Sequence, residues 1–455
     1  MRNRFSNRLG FLFMSAGCAI GLGNVWRFPH IVGQYGGGAF VLIYLFFLMI
    51  LGLPIMVMEY AVGRASQKSA VLSFDVLEPK GSHWHWMKWI AYIGNILLMM
   101  FYTTVCGWML YYFYLMLSGH FDGASVEAVN QTFGNMLQSP FINVGYMALV
   151  VGLGFFTLSK GFNNGVEKVS KFMMTCLLSL MLVLAFRSVT LPGAVEGLKY
   201  YLIPNFNKIQ EVGISEVVFA AMAQAFFTLS LGIGAIAIFG SYIDKERRLT
   251  GEALQVVLLD TFVAIISGLI VIPACFAYGV DAGQGPGLIF VSLPNIFSHM
   301  AMGRIWGTLF FLFLSFAAFT TIIAVFQNIV DMTMDLTSWS LEKTIKILMV
   351  VLFVLSLPCA LGFNVWSGIQ PMGSGSTIQD LEDFVLSNNL LPLGTLVYVL
   401  FSTWKQGWGW NAFLEEANSG KGLRFPSWVK IYCSYTIPLI ILFIFIQGYV
   451  NFFHQ

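Results

Sequence analysis

The chain has 455 residues, of which 57% are hydrophobic, 16% aromatic and only 10% charged, with a formal net charge of +2. An ordinary soluble domain is roughly 25% charged, and a mean hydropathy of +0.76 belongs to a chain whose solvent is largely lipid. These figures exclude a soluble globular enzyme, a disordered chain and a nucleic-acid binder, which needs clustered positive charge.

The N-terminal apolar run from Leu9 does not have the form of a cleavable signal peptide. It contains Gly, Asn and Arg, lacks a small-residue cleavage site, and passes straight into a second run. A bilayer-spanning helix needs roughly 20 mostly apolar residues. Runs of that kind occupy 9–33, 38–63, 87–118, 141–159, 165–186, 215–243, 253–280, 305–335, 344–362, 382–404 and 430–451. They are too long and too continuously apolar for barrel strands of about 10 residues. The fold class is therefore an all-α integral membrane protein with eleven transmembrane helices, and no separate soluble domain is left over. The six cysteines (Cys18, Cys106, Cys176, Cys275, Cys359, Cys433) stand singly in apolar stretches and read as buried, inert thiols.

Lys and Arg orient the bundle. With the N-terminus in the cytoplasm, 19 of the 24 fall in inner segments. Only Arg187, Lys199, Lys208 and Arg304 fall outside, and Arg27 lies within a span. The positive-inside rule supports this orientation, and an odd number of spans places the C-terminus outside.

Two spans are poorly built as helices. The first carries Ala16-Gly17-Cys18-Ala19-Ile20-Gly21-Leu22-Gly23-Asn24, followed by Arg27 and Pro29; the sixth carries Phe226-Phe227-Thr228-Leu229-Ser230-Leu231-Gly232-Ile233-Gly234. An interior glycine costs a helix about 1 kcal/mol relative to alanine. Taken alone, glycine also fits close helix packing. Spans one and six, however, are five apart, as if each opened a five-helix repeat, the second inverted because five is odd. Paired interruptions of this kind point to a transporter site near the bilayer midplane. Unwinding in lipid frees backbone groups that must find partners. Freed carbonyls suit a small hard cation, and half-helix N-termini suit a carboxylate.

At these residues the sequence resembles a known family. Arg8-Leu9-Gly10, the run from Ala19 to Pro29 and Gly36-Gly37-Gly38-Ala39-Phe40 look like the first two helices of the neurotransmitter:sodium symporters, which have the LeuT fold. The likeness continues through Leu53-Pro54, Glu59, Gly63-Arg64, Gln224 to Gly234 and the eighth span, and covers nearly the whole chain. It implies a single transporter domain over 1–455, with one repeat over about 9–186, an inverted second over about 215–404 and an extra helix over about 430–451. It also implies Na⁺-coupled symport of an amino acid by alternating access, with no organic cofactor. Many relatives have twelve spans; some bacterial members lack the last, so eleven suggests a prokaryotic inner membrane.

Carried over by position, the resemblance implies two sodium sites. One would use Ala19, Asn24, Thr228 and Asp260, the other Gly17, Ile20, Ala317, Thr320 and Thr321. Such all-oxygen shells suit a hard cation, although hydroxyls in membrane helices also bond back to their own backbone. Asp260, where many relatives have Asn, and Ala264, where chloride-dependent members have a serine, imply chloride-independent transport. The substrate carboxylate would meet Leu22, Gly23 and Tyr102, its ammonium the carbonyls of Ala19, Phe227 and Thr228. The side-chain pocket would be lined by Leu98, Tyr102, Phe227, Ser230, Ile233 and Val325, which suits a neutral apolar amino acid. Arg27 with Asp383 would form the outer gate, Asp380 and Glu382 being close competitors. Arg2 with Asp335, supported by Ser241 and Tyr242, would form the inner one, with Phe5 where relatives have Trp; Arg2 also serves as a plain topology signal. The alternatives are a proton-coupled carrier of the same fold, which lacks its titratable group, and a membrane enzyme, which lacks any catalytic grouping among the six histidines. His83 and His85, flanking Trp84, read as interfacial rather than metal-binding.

Overall fold

The computed structural model describes residues 8–283 and 287–454. Among the described residues there is no β-strand, only an isolated bridge between Arg247 and Lys421. Among the described residues nine helices are long and apolar enough to cross a bilayer, and two bent pairs raise the number to as many as eleven. The ends fall close to those expected: Gly303–Thr337 for 305–335, Leu249–Ala277 for 253–280, Pro140–Ser159 for 141–159. Burial grades these spans. In the eighth, 83% of the apolar window is enclosed by protein, against 33% in the last, Ser427–Phe452, which lies at the edge of the bundle.

The first span is broken where its glycines cluster. A helix over Arg8–Ala19 stops, and a second over Gly23–Gln34 leaves at 58° to it. At the break the Gly21 N–H goes to Asn24 Oδ1 at 3.2 Å instead of continuing the ladder. Gly21 is needed because of what lies beside it: a Cβ there would fall 2.3 Å from the Tyr102 hydroxyl and 2.8 Å from that of Thr321.

The sixth span, placed at 215–243, is interrupted as its glycines and hydroxyls led one to expect. Its helix, Ile214–Thr228, is followed by eight residues without helical bonding and then by four helical residues, Ala237–Gly240. Ser230, Gly232 and Gly234 have φ of 51°, 99° and 69°, a left-handed backbone that cannot propagate a right-handed helix. The sharp 101° bend between Phe206–Val212 and Ile214–Thr228 is a separate feature, where a surface helix meets the span at Gly213.

Short helices outside the spans, Ala70–Leu77, Val126–Gln138, Ala194–Leu202 and Trp410–Ala417, leave no long apolar run and were not legible. Five of the cysteines are buried; Cys176 is only half-buried, unlike the expectation for it.

Candidate functional site

The two breaks face each other, and side chains from four spans complete much of their backbone bonding. Gln224 Nε2 donates to the Gly23 carbonyl at 2.9 Å, Asn95 Nδ2 to Ile233 O at 2.8 Å and Asn328 Nδ2 to Ala235 O at 3.1 Å. The Gly232 N–H donates to Glu59 Oε1 at 2.6 Å. Sequence reasoning assigned none of these roles. The available signal was the amide or carboxyl side chain in mid-span, expensive in lipid unless it has a partner.

Asn24, Thr228 and Asp260 come together, all at most 1% exposed. Asn24 Nδ2 lies 2.8 Å from Asp260 Oδ1 and 3.0 Å from Thr228 Oγ1, and Thr228 Oγ1 donates to Asp260 Oδ2 at 3.0 Å. Ala19 lines the cavity nearby. Five further residues converge from the first and eighth spans. Thr321 Oγ1 lies 3.1 Å from Gly17 O, 3.0 Å from Ile20 O and 3.4 Å from Ala317 O. Thr320 Oγ1 donates to Ala317 O at 3.0 Å, the ordinary bond back to its own helix. Both clusters present only oxygen acceptors and hydroxyls, together with the Asn24 amide, a donor set for a hard cation.

Between the clusters lies a small cavity. Ala19, Leu22, Gly23, Leu98, Tyr102, Phe227, Ser230 and Ile233 line it as expected. Val325 and Thr228 are not in its wall: Val325 is buried in the eighth span, and Thr228 turns its hydroxyl to Asp260. Cys18, Gly21, Thr321, Leu386 and Leu391 complete the wall. The two leucines were missed because a π-turn over Leu386–Leu390 sets which face of the tenth span points inward, and a 3.6-residue period does not show it. The Leu22 N–H donates to the Tyr102 hydroxyl at 3.0 Å, so the atoms expected to hold a carboxylate are adjacent.

The model of the sodium:neurotransmitter symporter family matches residues 2–132 and 130–455. This chain belongs to that family. It is similar to the uncharacterised sodium-dependent transporter YhdH of Bacillus subtilis, at 32% identity over 98% of this chain and 97% of that one. It is also similar to the sodium- and chloride-dependent taurine transporter of Rattus norvegicus, at 25% over 99% and 78%. Among solved structures, MhsT in complex with L-phenylalanine superposes with a TM-score of 0.86 at 35% identity, covering 98% of this chain and 100% of that one. The protein is thus a multi-pass, LeuT-fold, sodium-dependent symporter and not an enzyme.

At one end of the symporter's bundle, Arg27, Asp380 and Asp383 line one vestibule. The Arg27 guanidinium stands over the Phe227 ring, 4.3 Å from its centroid. Asp383 accepts from Ser387 Oγ at 2.7 Å, Asp380 closes a capping box with Thr377, and Glu382 is buried away from the vestibule. That sets Glu382 apart, while Asp380 and Asp383 both share the vestibule with Arg27, Asp380 also serving its helix cap. On the opposite side Asp335 Oδ2 accepts from Ser69 N and Oγ at 3.1 and 2.6 Å. Tyr242 donates to Asp331 at 2.8 Å, one turn before Asp335, and Ser241 Oγ to Ile238 O at 2.6 Å. Arg2 and Phe5 lie outside the described residues. His85 Nδ1 is 2.7 Å from Glu78 Oε1, an ion-pair geometry in the loop.

Proposed function

We propose that this symporter carries a neutral hydrophobic L-amino acid together with sodium at two sites, independently of chloride. The observation that carries the reading is the cavity wall. It is apolar apart from the hydroxyls of Tyr102, Ser230 and Thr321 and the Cys18 thiol, and no charged side chain lines it. A charged cargo side chain would lose its hydration there without a partner. The phenylalanine bound by the similar MhsT supports the same class.

The first sodium ion would sit among Ala19, Asn24, Thr228 and Asp260 and would take over the Asp260 and Thr228 oxygens from the Asn24 amide. The second would be held by the carbonyls of Gly17, Ile20 and Ala317 with the hydroxyls of Thr320 and Thr321. The substrate carboxylate would displace Tyr102 from the Leu22 N–H, keep the hydroxyl as a partner, and add an oxygen to the first ion's shell. Ion and substrate affinities are then coupled in both directions. Sodium stabilises the outward-open arrangement through its differential affinity, and Phe227, Tyr102, Arg27 and Asp383 close over the loaded site. Asp335, with Ser241, Tyr242 and Arg2, would gate the cytoplasmic side. The inner-membrane location, with the N-terminus inside and the C-terminus outside, is supported by the Lys and Arg distribution.

Uptake of labelled amino acids into vesicles holding the purified protein tests the substrate class. Under an inward sodium gradient, phenylalanine and leucine should accumulate, and arginine and aspartate should not. Preferential uptake of a charged amino acid would refute the class.

A further inference from the structure

A groove outside the transport pathway lies where the start of the first span, the start of the seventh and the loop before the last span meet. Four cations line it, Arg8, Arg247, Arg248 and Lys421, against two carboxylates, Glu246 and Glu252. Glu252 is shared between Arg8 at 3.0 Å and Arg247 at 3.8 Å. Arg248 gives N–H groups to the backbone carbonyls of Asn418 and Gly422, at 3.1 and 2.6 Å. Among the described residues no carboxylate lies within ion-pair distance of Arg248 or Lys421.

Arg8 and Arg247 share the one carboxylate of Glu252, whereas Arg248 and Lys421 are held in place by backbone bonds and not by a counter-charge. Arg248 N donates to Lys421 O at 3.1 Å and Lys421 N to Glu246 O at 2.8 Å. The close approach needs Gly420, whose φ is 90° and whose Cβ would fall 2.4 Å from the Glu246 carbonyl carbon. Holding like charges together this way leaves an electropositive concavity that favours an anion.

A second feature indicates which anion. Leu254 and Leu258 line the same groove, and Phe262 continues their row at four-residue spacing on the seventh span, so all three share one helix face. Leu258 is 56% exposed, Phe262 40%, and Leu423 at the groove's rim 53%. The basic groove therefore opens onto an apolar stripe that runs into the depth of the membrane.

We propose that this groove binds the headgroup of an anionic phospholipid of the cytoplasmic leaflet, with its acyl chains along Leu254, Leu258 and Phe262. Basic pockets between transmembrane helices on that side suit phosphate headgroups. The bound lipid bridges Arg8 on the first span to Arg248 on the seventh and Lys421 on the loop. The assignment is independent of the substrate and sodium reading.

The test uses the full chain, purified from membranes carrying equal phosphatidylglycerol and phosphatidylcholine, with retained lipid counted by mass spectrometry. The wild type should retain phosphatidylglycerol preferentially. Arg248→Gln with Lys421→Gln should cut that preference roughly thirtyfold, as expected for two lost cations near a charged headgroup, while Lys199→Gln with Lys208→Gln leaves it unchanged. No preference in the wild type, or an unchanged preference in the groove variant, would overturn the proposal. Inorganic phosphate separates the two sources of the same chemistry: a lipid held also by its chains stays bound in millimolar phosphate, and its release would make the site one for a soluble anion. If the variant does not fold, photoactivatable phosphatidylglycerol added to the wild type should label residues 254–262, and labelling confined to other segments would overturn the assignment.

Discussion

At Thr321 a single hydroxyl lies within 3.1 Å of two carbonyls from the broken first span, Gly17 and Ile20. Thr320, its neighbour, makes the bond any membrane-helix threonine can make, to Ala317. The pair therefore gives a graded expectation. Thr321→Val should raise the sodium concentration for half-maximal uptake roughly tenfold, since a ligand hydrogen-bond class group is worth about 1–2 kcal/mol, whereas Thr321→Ser should stay near the wild type. Equal sodium dependence in both variants would remove Thr321 from the ion's shell. At this scale much of the site was legible: Asp260, Asn24 and Thr228 are polar residues in apolar runs, and they meet. Val325 was not legible as buried away from the cavity, nor were Leu386 and Leu391 as walls, because apolar residues on neighbouring helix faces look alike until the rotation of each helix is known.

Glycine acts at the scale of the element. Gly232 has a φ of 99°, and a Cβ there would fall 2.1 Å from the Leu391 carbonyl oxygen, so the unwound segment both bends and packs through it. Gly232→Ala should lower the melting temperature of the purified symporter and abolish uptake, because the strain and the clash act together. A variant with wild-type stability and uptake would show that the segment tolerates another conformation. The sequence announced the breaks through their glycines but did not show how far the sixth span stays unwound. The positive φ of Ser230 depends on tertiary contacts that no local pattern encodes. Nor did it show that Glu59, Asn95, Gln224 and Asn328 would complete the freed backbone, because those partners come from distant spans.

Charge balance belongs to the whole molecule. In the proposed loading, two sodium ions and a zwitterionic substrate would leave two positive charges in a dry interior, and Asp260, 0% exposed, would offset one of them. Ala264, one turn away and also buried, offers no hydroxyl to a halide. Replacing chloride by gluconate should therefore leave sodium-driven uptake unchanged, and a several-fold fall in rate would assign the balancing charge to chloride. The bundle as a whole was the most legible feature, because eleven apolar runs of bilayer length permit few arrangements. The short surface helices were hidden because they bury only one narrow face.

If sodium and cargo jointly complete the bonding of the two unwound segments, neither binds well alone. Equilibrium binding of labelled L-phenylalanine to the purified symporter, in sodium and then in potassium at equal ionic strength, checks this coupling. Binding should be saturable in sodium, at least tenfold weaker in potassium and likewise weakened by Asp260→Asn. Binding of equal strength in both salts would show that the two ligands are not coupled.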